Sequence, residues 1–339
     1  MENQELLKAL NISSGKGILP DVNLAEITLL AGDGSTRQYW RNKFGNDSVI
    51  ACLDPTENRQ AMVRNTLSVF KAYQENDIRV PEIYDYNIEL GYILEEDLGD
   101  KSLNSFLSQI ASVPQEYALY QKVLDQLIHI HSISTERYEN IAFTQASFDI
   151  EKLMWEVNFS ITHFLEGHLK AVVSENEKKL IQDSYLIICQ KLAEQKRVVT
   201  HRDFHSRNIM MKNQDLFIID FQDCRMGIPQ YDLVSLLDDC YYKIHSENYF
   251  RLKRYYWDKF LSQRKLQGSW DEFIYFYDLM MIQRTFKALG SFGYISKVKN
   301  DIKFVRYIGY SFENLRSTLA KYSEFAPLRK ILAGFYYGA

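Results

Sequence analysis

The chain has 339 residues, of which 46% are hydrophobic and 25% charged, and its formal net charge is −4. This length fits two domains or one two-lobed unit, and the apolar content supports a substantial core and argues against disorder. The charges are spread along the chain without a long basic run. The composition therefore argues against a general nucleic-acid binder, which needs a basic face.

The cysteines and the N-terminal residues indicate a cellular compartment. Cys52, Cys189, Cys224 and Cys240 show no paired short spacing, so neither a zinc site nor a secreted disulfide framework is expected. The first ten residues carry acidic side chains where a signal peptide has a basic region. No run of about eighteen apolar residues occurs, so we expect no membrane span. The sequence predicts a cytoplasmic protein with reduced thiols.

The first hundred residues predict a small sheet crossed by one helix. A short helix is expected over the first ten residues, and Asp33-Gly34 is a strong hairpin signal. The region 27–53 contains short β-prone runs, 57–76 has helical periodicity, and the segments EIYDYN and GYILEED alternate like two further strands.

The remainder of the chain has mostly helical periodicity, with one interruption. Between 197 and 222 come three short apolar runs bounded by polar turns, which predict a small hairpin within a helical domain. The boundary at Leu98-Gly99-Asp100 is interpreted as a hinge between packed lobes, 1–98 and 99–339. Helices are predicted over 102–112, 115–132, 148–168, 174–195, 230–245, 247–265, 270–292 and 303–322.

Three polar residues in this interruption form the main candidate site. Asp203 and Asn208 lie five residues apart on a polar loop, and Asp220 follows an apolar run twelve residues beyond Asn208. On a hairpin, this spacing brings Asn208 and Asp220 to neighbouring ends of paired strands, with Asp203 on the loop beside them. Each residue alone is more simply a turn former or a helix cap. The combination with flanking strands favours a functional site.

The residue types suit phosphoryl transfer from ATP. Mg²⁺ prefers oxygen ligands and keeps water, so one carboxylate and one amide carbonyl can hold it beside phosphates. A further carboxylate must accept the proton of the attacking hydroxyl. We therefore expect Asp220 as the main metal ligand, Asn208 as the second, and Asp203 as the base.

The same segment carries a resemblance to a known family. HRDFHSRN followed by IIDFQD resembles the catalytic loop and metal motif of the aminoglycoside phosphotransferase and choline kinase superfamily, relatives of protein kinases. AGDGSTRQYW, RVPEIYDYN, YILEEDLGDKSL and GIPQYDLVSLLDD are similar to the bacterial N-acetylmuramate/N-acetylglucosamine anomeric kinases. The resemblance implies an α+β, two-lobed protein-kinase-like fold with an N-terminal sheet lobe, a larger helical C-terminal lobe and ATP in the cleft.

The resemblance also implies nucleotide-binding residues. Gly32, Gly34 and Ser35 would belong to a phosphate-covering loop, where glycines permit close backbone approach; an ordinary hairpin turn is the alternative. Glu95 and Asp97 would lie in the hinge, whose backbone groups bind the adenine edge.

One feature departs from the protein-kinase pattern. The strand that carries the phosphate-binding lysine of protein kinases is matched by SVIACLD at 48–54, which contains no lysine. Arg37, Arg41 or Lys43 on the adjacent strand can supply the charge, and Arg41 is preferred because the branch resembles the chain there. Each of these residue types is more often a plain solvated charge.

Other residues are weaker candidates. Asp223 can reach metal or substrate, and Glu156 can bind a sugar hydroxyl, whereas Trp155 and Phe164 on the same helix are interpreted as core. Two further residues have predicted structural roles: Asp232 would cap a helix or brace the catalytic loop, and His201 would fix that loop by hydrogen bonding.

The sequence thus predicts an ATP- and Mg²⁺-dependent kinase that phosphorylates the anomeric hydroxyl of N-acetylmuramate or N-acetylglucosamine in cell-wall recycling. Its partner would be a small amino sugar, with no nucleic acid or membrane, and no pattern predicts an oligomeric state. Two alternatives stay open. One is a kinase for another small alcohol, such as an aminoglycoside, choline or an amino-acid hydroxyl, and the acidic pair Asp238-Asp239 would suit the cationic aminoglycoside or choline. The other is an inactive nucleotide-binding regulator, which the missing lysine would suit.

Overall fold

The computed structural model describes residues 2–20, 26–30, 36–110, 112–138, 141–266 and 268–338. An antiparallel sheet in the order β1-β2-β3-β5-β4 forms the N-terminal lobe. Its strands are β1 (Ile27–Leu29), β2 (Gln38–Phe44), β3 (Asp47–Leu53), β4 (Ile83–Asn87) and β5 (Tyr92–Glu96).

Each face of this sheet packs against a different helix because side chains alternate along a strand. Val49, Ala51 and Leu53 of β3 pack against Leu6 and Leu10 of α1 (Glu2–Gly15). On the opposite face, Cys52 and Ile93 pack against Val63 of α2 (Arg59–Gln74). The second face, which carries Cys52, also lines the cleft between the lobes.

The C-terminal lobe is built around α11, whose residues Leu279, Ile282 and Phe286 are fully buried. The α-helices are α3 (Leu103–Leu107), α4 (Val113–His131), α5 (Ala142–Gln145), α6 (Ile150–Ser160), α7 (Glu175–Ala193), α8 (Gln230–Leu237), α9 (Ser246–Tyr256), α10 (Ser262–Arg264), α11 (Trp270–Val298), α12 (Ile308–Leu319) and α13 (Ala326–Tyr337). Ile161–His168 and Trp257–Leu261 are π-helical, and Thr135–Arg137, Ile302–Tyr307 and Ser323–Phe325 are 3₁₀ turns.

Two small sheets interrupt the helices. β6 (Val198–Thr200) pairs with β9 (Arg225–Gly227), and β7 (Ile209–Lys212) pairs with β8 (Asp215–Ile218). Asn213 and Gln214 join β7 to β8 with φ of 53° and 70°, the left-handed conformation that two-residue hairpin turns require. The hairpin predicted between 197 and 222 is confirmed.

α11 approaches the π-helical segment Ile161–His168 closely at two glycines. A Cβ atom on Gly290 would overlap Ser160, and one on Gly293 would overlap the backbone of His163. Only glycine therefore allows this crossing. The close packing also brings Glu156 of α6 against Gln283 of α11.

The α+β architecture agrees with the prediction, but two helices are much shorter than expected and one helix was missed. The helix expected over 230–245 ends at Leu237, because the next turn directs the Asp239 carboxylate to backbone N–H groups. The helix expected over 102–112 is only Leu103–Leu107. α13 was missed; Gly334 in its interior lowers its helix propensity. No helix in the described ranges is long and apolar enough to span a membrane.

Candidate active site

The loop 201–208, which joins β6 to β7, holds the predicted catalytic residues. His205 N–H donates to the Asp203 carbonyl, and Asn208 N–H donates to the His205 carbonyl, each over 3.0 Å. Arg202 has a φ of 83°, which turns the chain sharply before Asp203. Local hydrogen bonds thus define the shape of this catalytic loop.

A carboxylate at the start of α8 braces the loop from below. Asp232 is fully buried and accepts the backbone N–H groups of His201 at 2.6 Å and Arg202 at 2.9 Å. The ring of His131 contacts the same carboxylate at 3.1 Å. The predicted bracing role of Asp232 is confirmed.

A second carboxylate, just after α8, braces the middle of the loop. Asp239 accepts the N–H groups of Ser206 and Tyr241, each over 2.9 Å, and burial raises the pKa of its carboxyl group. The neighbouring Asp238 accepts the Tyr249 and Tyr277 hydroxyls. Because both carboxylates are committed to internal hydrogen bonds, the acidic groove suggested by this pair is not formed.

The structure brings Asn208 and Asp220 together as the spacing predicts. Ile219 N–H donates to the Asn208 carbonyl over 3.0 Å, which closes the end of the β7–β8 hairpin. The Asn208 side-chain amide donates to the Asp203 carbonyl at 3.0 Å and lies 3.5 Å from Asp220 Oδ2. His201 Nε2 donates to the Ile219 carbonyl at 3.0 Å, so this histidine fixes the loop as predicted.

Arg37, immediately before β2, reaches across the cleft to this corner. Its Nη2 lies 2.9 Å from Asp220 Oδ1 and 3.9 Å from Asp223 Oδ2. Gln222 also donates to Asp220 Oδ1, at 2.8 Å. Arg37 is therefore the cationic residue in contact with Asp220, the predicted metal ligand.

Arg41 has a different environment. Its guanidinium makes two bonds to Asp97, at 2.6 and 2.9 Å, and a third contact to Asp100 at 2.9 Å. Ser48 and the Gly99 N–H also donate to the Asp97 carboxylate. These contacts tie β2 to the segment after β5, so the preference for Arg41 as the phosphate-binding cation does not fit its position.

The region expected to be the hinge also differs in detail. Glu95 lies within β5 opposite Ile50 and Ile83, so its backbone belongs to the sheet. Its side chain lines the cleft, and burial raises its pKa to about 7. The Asp97 carbonyl accepts from Lys212 at 3.0 Å. Leu98 and Gly99, which follow this carbonyl, line the cleft.

A cleft of about 280 Å³ opens between the lobes at this position. The N-terminal lobe contributes polar and apolar walls, and the C-terminal lobe contributes Asn208 and Asp220. Gly32, Gly34 and Ser35 of the expected phosphate-covering loop lie outside the described residues. The cleft places the candidate metal ligands opposite the sheet.

Asp203 lies among positive charges. Lys287 Nζ of α11 is 3.5 Å from its Oδ1, and Arg202 Nε is 3.7 Å from its Oδ2. Burial alone would raise the pKa of Asp203, but Lys287 and Arg202 outweigh it and hold that pKa well below its ordinary value. The side chain is therefore a carboxylate at neutral pH.

The two weaker candidates differ in exposure. Asp223 is 48% exposed and lies 3.5 Å from Arg202 Nη1. Glu156 is 1% exposed, and its Oε2 accepts from Gln283 Nε2 at 3.0 Å. Phe164 is buried as predicted, whereas Trp155, predicted to be core, is 55% exposed.

The sequence of the chain matches a known enzyme family and proteins named as kinases. The profile of the phosphotransferase enzyme family matches residues 26–258. The chain belongs to this family. The phosphotransferase is 27% identical over 91% of its length to the N-acetylmuramate/N-acetylglucosamine kinase of Neisseria meningitidis serogroup B, covering 90% of that protein. It is 26% identical over 98% of its length to the enzyme of the same name from Pseudomonas aeruginosa, covering 94% of that protein.

Solved structures support the fold. An ADP-bound aminoglycoside phosphotransferase, APH(2'')-Ib, matches with a TM-score of 0.62 and 15% identity, over 91% of this chain and 98% of that one. The choline kinase LicA from Streptococcus pneumoniae matches with a TM-score of 0.62 and 15% identity, over 91% and 99%. This phosphotransferase therefore has the kinase-like fold. Its family and its kinase relatives show that it is an ATP-dependent enzyme that acts on a small-molecule hydroxyl.

Some residues around the site were not foreseen from sequence. Arg284 and Lys287 lie on a long apolar helix, and Arg225 lies on a short strand. One feature of the sequence could have indicated them, which is the polar set Gln283, Arg284 and Lys287 within an otherwise apolar run. A charged side chain on a buried helix needs a partner.

Proposed function

We propose that this phosphotransferase moves the γ-phosphoryl group of Mg-ATP to the anomeric hydroxyl of N-acetylmuramate or N-acetylglucosamine. The observation that carries phosphoryl transfer is the meeting of Asn208 and Asp220 at the hairpin end, with Asp203 on the same loop. The names of the relatives support the amino-sugar acceptor. A role in cell-wall recycling in the cytoplasm, where ATP is available, is part of the proposal.

Asn208 and Asp220 fit a magnesium ion. One amide oxygen and one carboxylate are hard ligands, and two protein ligands leave positions for water and phosphate oxygens. The bound ion would neutralise negative charge on the phosphates. Arg37 would add a second positive charge near the phosphates, in place of the missing strand lysine.

Asp203 would accept the proton of the attacking hydroxyl. Its lowered pKa keeps it ionised, and it would also orient the hydroxyl oxygen. The anomeric hydroxyl is more acidic than an ordinary alcohol because the ring oxygen withdraws charge. A weak carboxylate base is therefore sufficient for this acceptor.

The two lobes would have different roles in binding the nucleotide and the acceptor. We propose that 1–98 supplies most nucleotide contacts and that 99–339 supplies the catalytic groups and the acceptor site. Arg41 and Asp97 would position the hinge, with the backbone at 98–99 facing adenine. The positive groups around Asp203 disfavour a cationic acceptor such as choline. An inactive regulator would have no need of this carboxylate.

Blocking the anomeric oxygen tests the acceptor. The methyl glycoside of N-acetylglucosamine should give no sugar phosphate under conditions where the free sugar is phosphorylated, because the reacting oxygen is no longer a hydroxyl. Turnover of both compounds is measured with Mg-ATP, and phosphorus NMR coupling to H1 identifies the product. Equal turnover would contradict anomeric phosphorylation and leave the wider small-molecule kinase class.

Replacing Arg37 by methionine tests the substitute for the strand lysine. The KM for ATP should rise about 10- to 100-fold, the usual worth of a charge-assisted hydrogen bond. ATP kinetics and calorimetric binding of ADP provide the measurement, with the exposed Arg64 of α2, changed to methionine, as control. An unchanged KM in Arg37→Met together with a raised KM in Arg41→Met would return this role to Arg41.

A further inference from the structure

The acceptor side of Asp203 has an excess of positive charge. Arg202 and Lys287 contact Asp203 directly. Arg284 is close enough for its charge to lower the pKa of the Asp203 carboxyl, and the charge of Arg202 lowers the pKa of Arg225 beyond the effect of burial. Three arginines and one lysine from the loop, β9 and α11 thus surround one small region.

The nearby carboxylates do not neutralise all of this positive charge. Asp223 contacts Arg202 but is about half exposed, and Asp203 is shared between Arg202 and Lys287. Glu156 is paired with neutral Gln283, and Lys152 Nζ of α6 lies 3.9 Å from its Oε1. With Lys152 included, the region contains five cationic side chains and three carboxylates, so positive charge is in excess.

The side chains of two of the arginines have no hydrogen-bond or ion-pair partner within the described residues. Arg225 lies over the Phe148 ring at 5.1 Å, and Arg284 lies over the Tyr231 ring at 5.7 Å. The two rings stack on each other at 3.9 Å. The Nε atoms of both arginines are buried and unpaired. Because buried N–H groups are nearly always paired in proteins, these donors are available for an acceptor that the described residues do not supply.

Neutral polar atoms in the same region are also unpaired. Gln283 Oε1 and the Tyr231 hydroxyl are buried and make no hydrogen bond to the described residues. These atoms can accept from or donate to the hydroxyl and amide groups of a sugar. The region therefore combines an anion-binding side, formed by arginines, with a side suited to neutral polar groups.

We infer that Arg225 and Arg284 bind a carboxylate of the acceptor, so that the enzyme selects an acidic acetamido sugar over its neutral counterpart. This inference rests on the proposed sugar-kinase function and adds the residues that set the preference. N-acetylmuramate carries such a carboxylate on its C3 ether substituent, whereas N-acetylglucosamine does not. Planar guanidinium groups match a carboxylate in charge and geometry.

The experiment compares two acceptors that differ only in this charge, N-acetylmuramate and its carboxamide. In the wild-type enzyme, kcat/KM should be about 10- to 100-fold higher for the acid, as expected for a charged hydrogen-bonded contact. The difference should lie mainly in KM, because the contact is the same in ground and transition states. Arg284→Gln and, independently, Arg225→Gln should reduce the ratio to about threefold or less.

Arg251→Gln is the matched control, since this arginine lies over the Tyr117 ring at 4.0 Å on the distant surface of α9. It should keep the wild-type ratio. A wild-type ratio near one, or a ratio unchanged in both Arg225→Gln and Arg284→Gln, would overturn the inference while leaving the kinase function intact.

Failure of the proposed function has a separate signature, which is that neither the acid nor the amide is phosphorylated. Calorimetric titration with the acid then decides the inference. Binding that is lost in Arg284→Gln supports the carboxylate site, and absence of binding to the wild-type enzyme overturns it.

Discussion

Replacing Asp220 by asparagine is expected to reduce turnover by about 10³-fold or more while the protein remains folded. The amide cannot supply the negative charge that would hold Mg²⁺ against the phosphates, and the ion is worth several kcal/mol of transition-state stabilisation. Asp220 is also the partner of Arg37, but it lies at the cleft surface and not in the core. Steady-state turnover is measured at increasing magnesium, with a thermal melt to check folding.

Asp215→Asn is the control for this substitution. Asp215 is at the tip of the same hairpin and about half exposed, and among the described residues its carboxylate forms an ion pair only with the exposed Arg79. Its loss should therefore change turnover little. Near-normal turnover of Asp220→Asn at saturating magnesium would contradict the metal assignment. A collapse of the melting temperature would instead show that Asp220 has a structural role.

Replacing Asp203 by alanine should lower the chemical rate by about 10²- to 10⁴-fold, the usual contribution of a positioned general base. ATP affinity should change little, because the side chain faces Lys287 and Arg202 on the acceptor side. Single-turnover kinetics with Mg-ATP measure the chemical step, and calorimetry measures nucleotide binding. A large loss of ATP affinity with unchanged turnover would make Asp203 a metal or structural residue.

The lowered pKa of Asp203 gives this prediction a pH dependence. The group is active when ionised, and its pKa lies well below the ordinary value of 3.8. As pH falls from about 8 to about 5, Asp203 therefore stays ionised and should add no acid limb to the chemical rate. Lys287→Met removes the charge that lowers this pKa the most. The pKa of Asp203 should therefore rise, and any fall in the chemical rate at low pH should begin at a higher pH in that variant.

The candidate catalytic centre could be predicted from sequence because its geometry is local. Asp203, Asn208 and Asp220 fall within eighteen consecutive residues, and a short hairpin fixes their relative positions through paired backbone groups. The bracing role of Asp232 could also be predicted, because α8 follows this segment directly. The two-lobed fold followed from the change between period-2 and helical patterns near residue 100.

The residues that face the centre from distant elements could not be predicted in this way. Arg37 and Arg41 are four positions apart near one strand, and only the tertiary contacts show that one meets Asp220 and the other meets Asp97. Arg225 and Arg284 reach one region from β9 and α11. Their meeting depends on how the helices cross, which periodicity does not specify.

The two carboxylates that brace the catalytic loop have a consequence for how such enzymes diversify. Asp232 and Asp239 hold three backbone N–H groups of the loop from α8 and the residues just after it, whereas the arginines proposed to bind the acceptor come from β9 and α11. Substitutions on β9 and α11 can then exchange one acceptor for another while the reactive carboxylate stays in place. An architecture with this division can give rise to lineages with unrelated substrates, and its fold neighbours are named for acceptors as different as aminoglycosides and choline.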